Sequence, residues 1–575
     1  MTLKWWQKAV FYQIYPRSFA DGNGDGIGDF KGMTAKLDYL KELGVDALWL
    51  SPHFPSPNFD WGYDISDYCD VAPEYGSLED FKIFLRESHD RELKVILDLV
   101  LNHTSDQHPW FLESKSSRDN PKSAWYVWMD TPPNNWQSCF DGDAWTYSPE
   151  RNQYYYHYFM RQQPDLNWHN PQVVQAMWAA TRFWLDLGVD GFRLDAVGTI
   201  FEDPALTPHN VPLDLAALRN MTDQTQTPAE KELVNRYWHD MFQYQLGQPG
   251  VHDLMKQLRA ILDEYPGDRM LVGEDENPEY MGSGLDELHI VFNFPLMNIP
   301  VSVREASNPP LTPARIRQNQ KERLELLLKI SPDAWPCNTL GNHDSSRVYT
   351  HYADGIHDAE RARLALAVML TLKGTPFLYN GEEIGMTDYI IADPARLRDT
   401  MATWFYQRLV DDLKVEKSDA ARRAANMSRD KNRTPMQWSN SANAGFCPIS
   451  TVPWLPVNPN YASGINVRDQ HSDPLSLWHF YKRMLKLRKS TPALVEGEYQ
   501  AIHENAEKYL AFLRKTDNQI VLVLMNFSKE RQSLNLSELA EKKARTLFSS
   551  AGRSKTVENL SQLHLAAFEI YIAEL

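Results

Sequence analysis

Cysteine is scarce in this chain: there are four in 575 residues, Cys69, Cys139, Cys337 and Cys447, all far apart. No CxxC pair or His-rich spacing accompanies them, so redox and zinc chemistry lack a basis and reduced thiols are expected. Positive charge is short as well. With 59 Lys plus Arg against 76 Asp plus Glu, the formal charge of −17 argues against a nucleic-acid partner, which needs clustered cations. Long apolar runs are missing too. No stretch approaches the roughly 18 residues of a membrane helix, and the opening Met1-Thr-Leu-Lys-Trp-Trp6 enters a strand-like segment without a signal-type apolar stretch. A cytoplasmic protein with no membrane partner is expected. Aromatic residues, by contrast, abound: 18 Trp, 26 Tyr and 24 Phe in a chain that is 43% hydrophobic supply a large core and argue against disorder.

The order of elements indicates the architecture. Residues 9–16, 45–50 and 94–100 read as strands, separated by helices at 33–43 and after the capping box Ser77-Leu-Glu-Asp80, with Phe81, Phe84 and Leu85 inward. The alternation breaks at 102–170 and resumes with a helix at 171–187 and strands at 191–197, 270–274, 289–294, 337–341 and 375–380. Helices are expected near 253–262, 313–330, 358–373 and 475–488. Leu43-Gly-Val-Asp46 recurs as Leu187-Gly-Val-Asp190, an echo of one βα unit. Eight such units predict an α/β fold, a (β/α)8 TIM barrel with its chemistry on the loops after the strands. The barrel comprises residues 1–101 and 171–495, with a loop-rich insertion at 386–461 after strand eight; 102–170 forms an inserted subdomain after strand three, and 496–575 a C-terminal antiparallel β-domain.

Acidic residues gather at strand ends. Asp98 is followed by Asn102 and His103; Arg193 and Asp195 lie on the fourth strand, Glu274 ends the fifth, and His343 and Asp344 follow the seventh. A barrel brings all of these to one rim, where isolated buried charges would each cost several kcal/mol. Cleaving a glycosidic bond needs one acid to protonate the leaving oxygen and one carboxylate to attack or activate water. Aromatic loops would meet the flat faces of a sugar.

The strings Asp98-Leu-Val-Leu-Asn-His103, Gly191-Phe-Arg-Leu-Asp195, Val272-Gly-Glu274 and Asn342-His-Asp344, with Gln163-Pro-Asp-Leu-Asn167, resemble glycoside hydrolase family 13, the α-amylase family, and within it the exo-acting α-glucosidase and oligo-1,6-glucosidase group. The resemblance covers nearly the whole chain. It implies that Asp195 is the nucleophile held ionised by Arg193, that Glu274 is the acid and then the base, and that Asp344, His343 and His103 bind the sugar ring. The implied outcome is retention, with a carboxyl separation of about 5 to 5.5 Å. It also implies, from Asp60-Trp-Gly-Tyr-Asp64 and the string Ser428 to Trp438, that Asp60 and Arg429 grip the terminal glucose and close the pocket, with Tyr63 stacking on the ring. A surface salt bridge is the alternative for Asp60 and Arg429.

Asp21-Gly-Asn-Gly-Asp-Gly-Ile-Gly-Asp29 resembles the first nine positions of a calcium loop, but its twelfth position is Gly32 rather than a bidentate Glu. In related α-glucosidases a structural Ca2+ or Mg2+ is held by side chains matching Asp21, Asn23, Asp25 and Asp29 and by the carbonyl of Ile27; a metal-free turn is the alternative. No organic cofactor is implied.

Ala196, after the nucleophile, is the residue type that accompanies α-1,4 preference in this group, because a β-branched side chain there narrows the aglycone entrance. Maltose and short malto-oligosaccharides are therefore the expected substrates, hydrolysed with some transglucosylation by a monomer or homodimer. Phe292 and Phe294 either wall the aglycone site or pack in the core. Asn380 and Asp275-Glu-Asn-Pro278 depart from the group's usual strings, so an oligo-1,6-glucosidase and a transferase or isomerase of the trehalose synthase or sucrose isomerase kind stay open. Catalytically dead transporter partners share the fold, but they lack the carboxylates present here.

Overall fold

The computed structural model describes residues 3–297, 310–539, 542–553 and 560–575. Eight short strands occupy the expected places: β1 Phe11–Ile14, β2 Ala47–Leu50, β3 Lys94–Leu99, β4 Gly191–Leu194, β5 Met270–Gly273, β6 Ile290–Val291, β7 Cys337–Thr339 and β8 Thr375–Tyr379. They form one parallel sheet in the order β6-β5-β4-β3-β2-β1-β8-β7. A parallel bridge between Phe292 and Cys337 joins its two ends, with Asn293 N donating to Cys337 O at 3.0 Å. The sheet thus closes into a barrel.

Alternation along the strands decides what faces the axis. At the lower end the inward residues are apolar, and Phe11, Ile96, Met270, Val272, Ile290 and Phe377 form one buried cluster with Trp49. Two residues further along several strands the same face carries Gln13, Asp98 and Arg193, so the interior changes from oil to charge on the way up. Gly191 is required where β4 meets β5, because an added Cβ would stand 2.1 Å from Met270 O.

The Leu-Gly-Val-Asp echo has one physical meaning in both places. Gly44 and Gly188 end their helices in the left-handed region, at φ 102 and 105. Asp46 and Asp190 then each accept a backbone N–H from the preceding strand's start, Val10 N and Val95 N, both at 2.9 Å.

Several expectations need correcting. The first strand is shorter than 9–16, because Pro16 takes the first position of a helix, Pro16–Phe19. The helix expected at 33–43 is two, Phe30–Ala35 and Leu37–Leu43, hinged at Lys36 with φ −107 and ψ 4. Phe294 is not on a strand; it opens the helix Phe294–Met297. Both Phe292 and Phe294 lie in the barrel's apolar cluster, with rings stacked 5.4 Å apart, so they are core rather than walls of a sugar site. Helices Leu215–Gln224 and Pro228–Phe242 were not expected at all. Their Leu215, Leu218, Trp238 and Phe242 pack with Trp136, Trp145 and Tyr156 of the first insertion. The second insertion carries helices Thr400–Asp411 and Lys417–Met427 where only irregular chain was expected.

The C-terminal part is a five-stranded antiparallel sheet in the order Glu498–Ala501, Tyr509–Lys515, Ile520–Asn526, Ile570–Glu574 and Arg545–Ser549. Among the described residues no helix is long and apolar enough to cross a membrane. The four cysteines are free thiols.

Candidate active site

The fourth strand delivers a buried guanidinium to the centre of the barrel mouth, and three carboxylates converge on it. Arg193 Nη1 stands 2.5 Å from Asp98 Oδ1 and 2.6 Å from Asp195 Oδ1, while Nη2 stands 2.7 Å from Glu274 Oε2. Asp98 comes from β3, Asp195 follows β4 and Glu274 follows β5, so three adjacent strands set this geometry. Asp98 Oδ2 also accepts from Trp49 Nε1 at 3.2 Å and Tyr63 Oη at 3.1 Å. One cation facing three carboxylates leaves surplus negative charge in a buried place. Burial raises the carboxyls, Asp98 to about 6, Asp195 to about 7 and Glu274 to about 8, against the pull of Arg193. Glu274 is then the last to ionise, which suits a proton donor beside a carboxylate.

Across the mouth, Asp344 follows β7. Its Oδ1 lies 2.5 Å from Arg433 Nη2 and 3.5 Å from Arg429 Nη1, and its Oδ2 lies 3.1 Å from His343 Nε2. His343 is fully buried, and burial holds its pKa well below the usual value, so the ring is neutral. Gln13 Nε2 faces Nδ1 at 2.7 Å as donor, which puts the imidazole proton on Nε2. That nitrogen is 2.6 Å from Tyr63 Oη, and the Tyr63 and His343 rings lie nearly parallel, 5.5 Å apart. Gln13, His343 and Tyr63 thus hand donors along a line that ends on Asp98.

A third group adjoins Asp344. Arg429 Nη2 is 2.7 Å from Asp60 Oδ1 and 3.0 Å from Asp399 Oδ1. All three are buried, which excludes the surface salt bridge. Burial raises Asp399, yet Arg429 outweighs it and holds that carboxyl at about 2. Gln163 Nε2 reaches Asp60 Oδ2 at 3.2 Å and His103 Nε2 at 3.0 Å, so His103 joins the same wall. Burial lowers His103 to about 3, leaving it neutral.

Every pocket residue predicted from sequence is therefore brought together: Asp195, Glu274, Asp344, Asp60, Tyr63, His103, Arg193, His343 and Arg429. The motifs alone did not point to Arg433, Asp399 and Gln13. Arg433 was legible, since it stands four residues after Arg429 in the same string. Asp399 caps the helix Thr400–Asp411 and carries no motif of its own.

The loop Asp21 to Asp29 lies apart from these groups. Asp21 accepts Asn23 N, Gly24 N and Gly26 N, Asp25 accepts Ile27 N, and Asp29 accepts Gly22 N, Asn23 N and Gly32 N. Among the described residues no three His, Cys, Asp or Glu side chains converge on a metal position. The donor chemistry still fits a hard cation: three carboxylates, one amide oxygen and a carbonyl within nine residues, each carboxylate with lone pairs to spare.

The alpha amylase catalytic domain matches residues 13–497, and the maltogenic amylase C-terminal domain matches residues 499–572. The chain belongs to the α-amylase family. An oligo-1,6-glucosidase of Parageobacillus thermoglucosidasius is 38% identical over 581 residues, 99% of this chain and 98% of that protein. A probable alpha-glucosidase of Rhizobium meliloti (strain 1021) is 40% identical over 552 residues, 92% of this chain and 91% of that one. Among solved structures, the trehalulose synthase of Pseudomonas mesoacidophila MX-45 superposes with a TM-score of 0.85 at 36% identity, covering 100% of both chains. This α-amylase family member is accordingly a glycoside hydrolase of the exo-acting glucosidase group.

Proposed function

We propose that the protein is a retaining, exo-acting α-glucosidase that releases α-glucose from the non-reducing end of short α-1,4-linked glucosides such as maltose, with transglucosylation as a side path. The carrying observation is that Asp195 and Glu274 sit on the two terminal nitrogens of one guanidinium, while the buried Asp60–Arg429 pair adjoins Asp344 across the barrel mouth. Retaining enzymes set their two carboxyls about 5 to 5.5 Å apart, and a shared Arg193 supports that close spacing.

In this reading Asp195 attacks the anomeric carbon as Glu274 gives its proton to the leaving oxygen, forming a β-glucosyl-enzyme. Glu274, now a carboxylate, takes a proton from the incoming water, and the second displacement restores the α-configuration. Asp344, aligned by Arg433 and His343, binds ring hydroxyls and steadies the oxocarbenium charge. Tyr63 presents a flat face to the sugar, and His103, Asp60 and Arg429 bind the hydroxyls of the terminal ring. The buried ion pair blocks extension beyond that ring, which supports exo action.

Two observations favour neighbouring readings. The relative in Parageobacillus thermoglucosidasius is named for α-1,6 bonds, whereas Ala196 here favours the wider α-1,4 aglycone entrance. The full-length likeness to a trehalulose synthase supports a second reading, in which a sugar hydroxyl intercepts the glucosyl-enzyme. Separate incubations with maltose, isomaltose, sucrose and trehalose, with every saccharide identified, decide between them. A higher kcat/KM on isomaltose than on maltose overturns the α-1,4 reading, and an isomerised disaccharide as the main product overturns the hydrolase reading.

We also propose that Asp21, Asn23, Asp25, Asp29 and the Ile27 carbonyl hold a structural Ca2+ or Mg2+. Such an ion supplies charge neutralisation to the loop and no group to the reaction. The protein acts in the cytoplasm as a monomer or homodimer.

A further inference from the structure

Ala196 comes directly after the nucleophile and has φ 41 and ψ 53, in the left-handed region that residues with a side chain seldom adopt. The reason lies in what its backbone does. The ladder between β3, β4 and β5 ends at the two carboxylate residues, where Asp195 N donates to Leu99 O at 3.1 Å and Glu274 N to Leu194 O at 2.9 Å. The next N–H is free of the sheet. The left-handed turn, closed by Thr199 N and Thr199 Oγ1 on Ala196 O at 3.0 and 2.8 Å, aims it at Glu274 Oε2, 3.0 Å away. The same oxygen receives Arg193 Nη2 at 2.7 Å. Glu274 Oε1 meets no donor or acceptor among the described residues.

We propose that Ala196 is a positioning residue: its N–H and Arg193 Nη2 together anchor Glu274 Oε2 and confine the transferable proton to Oε1. An oxygen that accepts two N–H donors is a poor place for a hydroxyl proton, because the O–H would compete with both for the same lone pairs. Rotation of the protonated carboxyl by half a turn would bring the hydroxyl against these two N–H donors, so the proton stays on the other oxygen. In the first displacement the proton leaves Oε1 for the glycosidic oxygen, which takes the electron pair of the breaking C–O bond while Asp195 bonds to the anomeric carbon. The charge left on Glu274 spreads to Oε2, where two donors already wait. In the second displacement Oε1 takes the proton of the attacking water.

This role for Ala196 rests on Glu274 being the acid. A Glu274→Gln enzyme that still hydrolysed maltose at full rate would remove the acid from its place, whatever residue 196 does. The test of Ala196 replaces its peptide N–H by an ester oxygen, by inserting lactic acid at position 196 through stop-codon suppression, which keeps the methyl side chain. Loss of one donor to the anionic form should raise the basic limb of the kcat/KM profile on maltose by about one pH unit. A weaker acid should also cost maltose about tenfold more than 4-nitrophenyl α-glucoside, whose leaving group needs little protonation. Ala196→Gly, which enters the same backbone region freely and keeps the N–H, should hold the basic limb in place. An ester enzyme with an unmoved limb and equal losses on both substrates overturns the proposal, as does a glycine variant whose basic limb moves as far as the ester's.

Discussion

Asp60 and Arg429, 369 residues apart in sequence, meet in an ion pair of 2.7 Å with both side chains 5% exposed. Arg429 also serves Asp399, so the two ends of the pair are not equivalent. Arg429→Ala should destabilise the protein by about 3 to 5 kcal/mol, because it strands buried carboxylates, whereas Asp60→Asn should cost far less. Urea unfolding of the two variants measures the difference. In activity, Asp60→Asn should lower kcat/KM on maltose by about ten- to a hundredfold through lost charged hydrogen bonds to the terminal glucose. Equal stability of the two variants, or unchanged kcat/KM in Asp60→Asn, would contradict this assignment.

The proposed nucleophile has a sharper signature. Asp195→Asn should lower kcat by about 10⁴-fold or more while the fold persists, since an amide cannot attack the anomeric carbon as a carboxylate does. Proton NMR during the first seconds of wild-type hydrolysis should show α-glucose before mutarotation. Release of the β-anomer sinks the retaining mechanism outright.

The pH profile is set by the same three carboxylates. In the proposed mechanism Asp195 must be ionised and Glu274 protonated, so kcat/KM should rise as pH passes about 7 and fall as it passes about 8. The two limbs belong to the coupled group rather than to single residues. Asp98 shares Arg193 Nη1 with Asp195. Removing its charge by Asp98→Asn frees that nitrogen for Asp195, lowers the nucleophile's pKa and should move the acid limb to lower pH. A limb that stays fixed or moves upward would show that Asp98 does not set the nucleophile's charge.

What the sequence disclosed depended on how local each signal was. Asp195 and Arg193 stand two apart in the strand read at 191–197, so alternation alone places them on one face, and the barrel brings Asp98 and Glu274 beside them. The Ser77 to Asp80 capping box was legible because its two reciprocal bonds are made within four residues. Helices Leu215–Gln224 and Pro228–Phe242 escaped because their apolar faces cover Trp136 and Trp145, far away in sequence, and their polar faces read as loop. The break at Lys36 escaped for the opposite reason: one hinge residue leaves the apolar spacing on either side intact. Asp399 could not be read at all, since its partner Arg429 lies 30 residues on, beyond two helices.

The loop Asp21 to Asp29 yields the last test. Thr451 Oγ1 donates to Gly24 O at 2.9 Å and Trp454 N to Gly26 O at 3.0 Å, so the second insertion is fastened to this loop. Trp454 in turn packs 5.2 Å from Trp61, next to Asp60. An ion bound by the folded loop alone stabilises by mass action, by about 2.7 kcal/mol at a hundred times its Kd. Calcium or magnesium added to chelator-treated enzyme should therefore raise Tm in a concentration-dependent way. Asp21→Ala combined with Asp25→Ala should abolish the rise, because the remaining oxygens carry too little charge to hold a hard cation. With the ion acting on the scaffold, kcat at a temperature well below Tm should not depend on its concentration. No rise in Tm with either ion, or an equal rise in the double variant, would return this segment to a glycine-rich turn whose carboxylates are occupied by backbone amides.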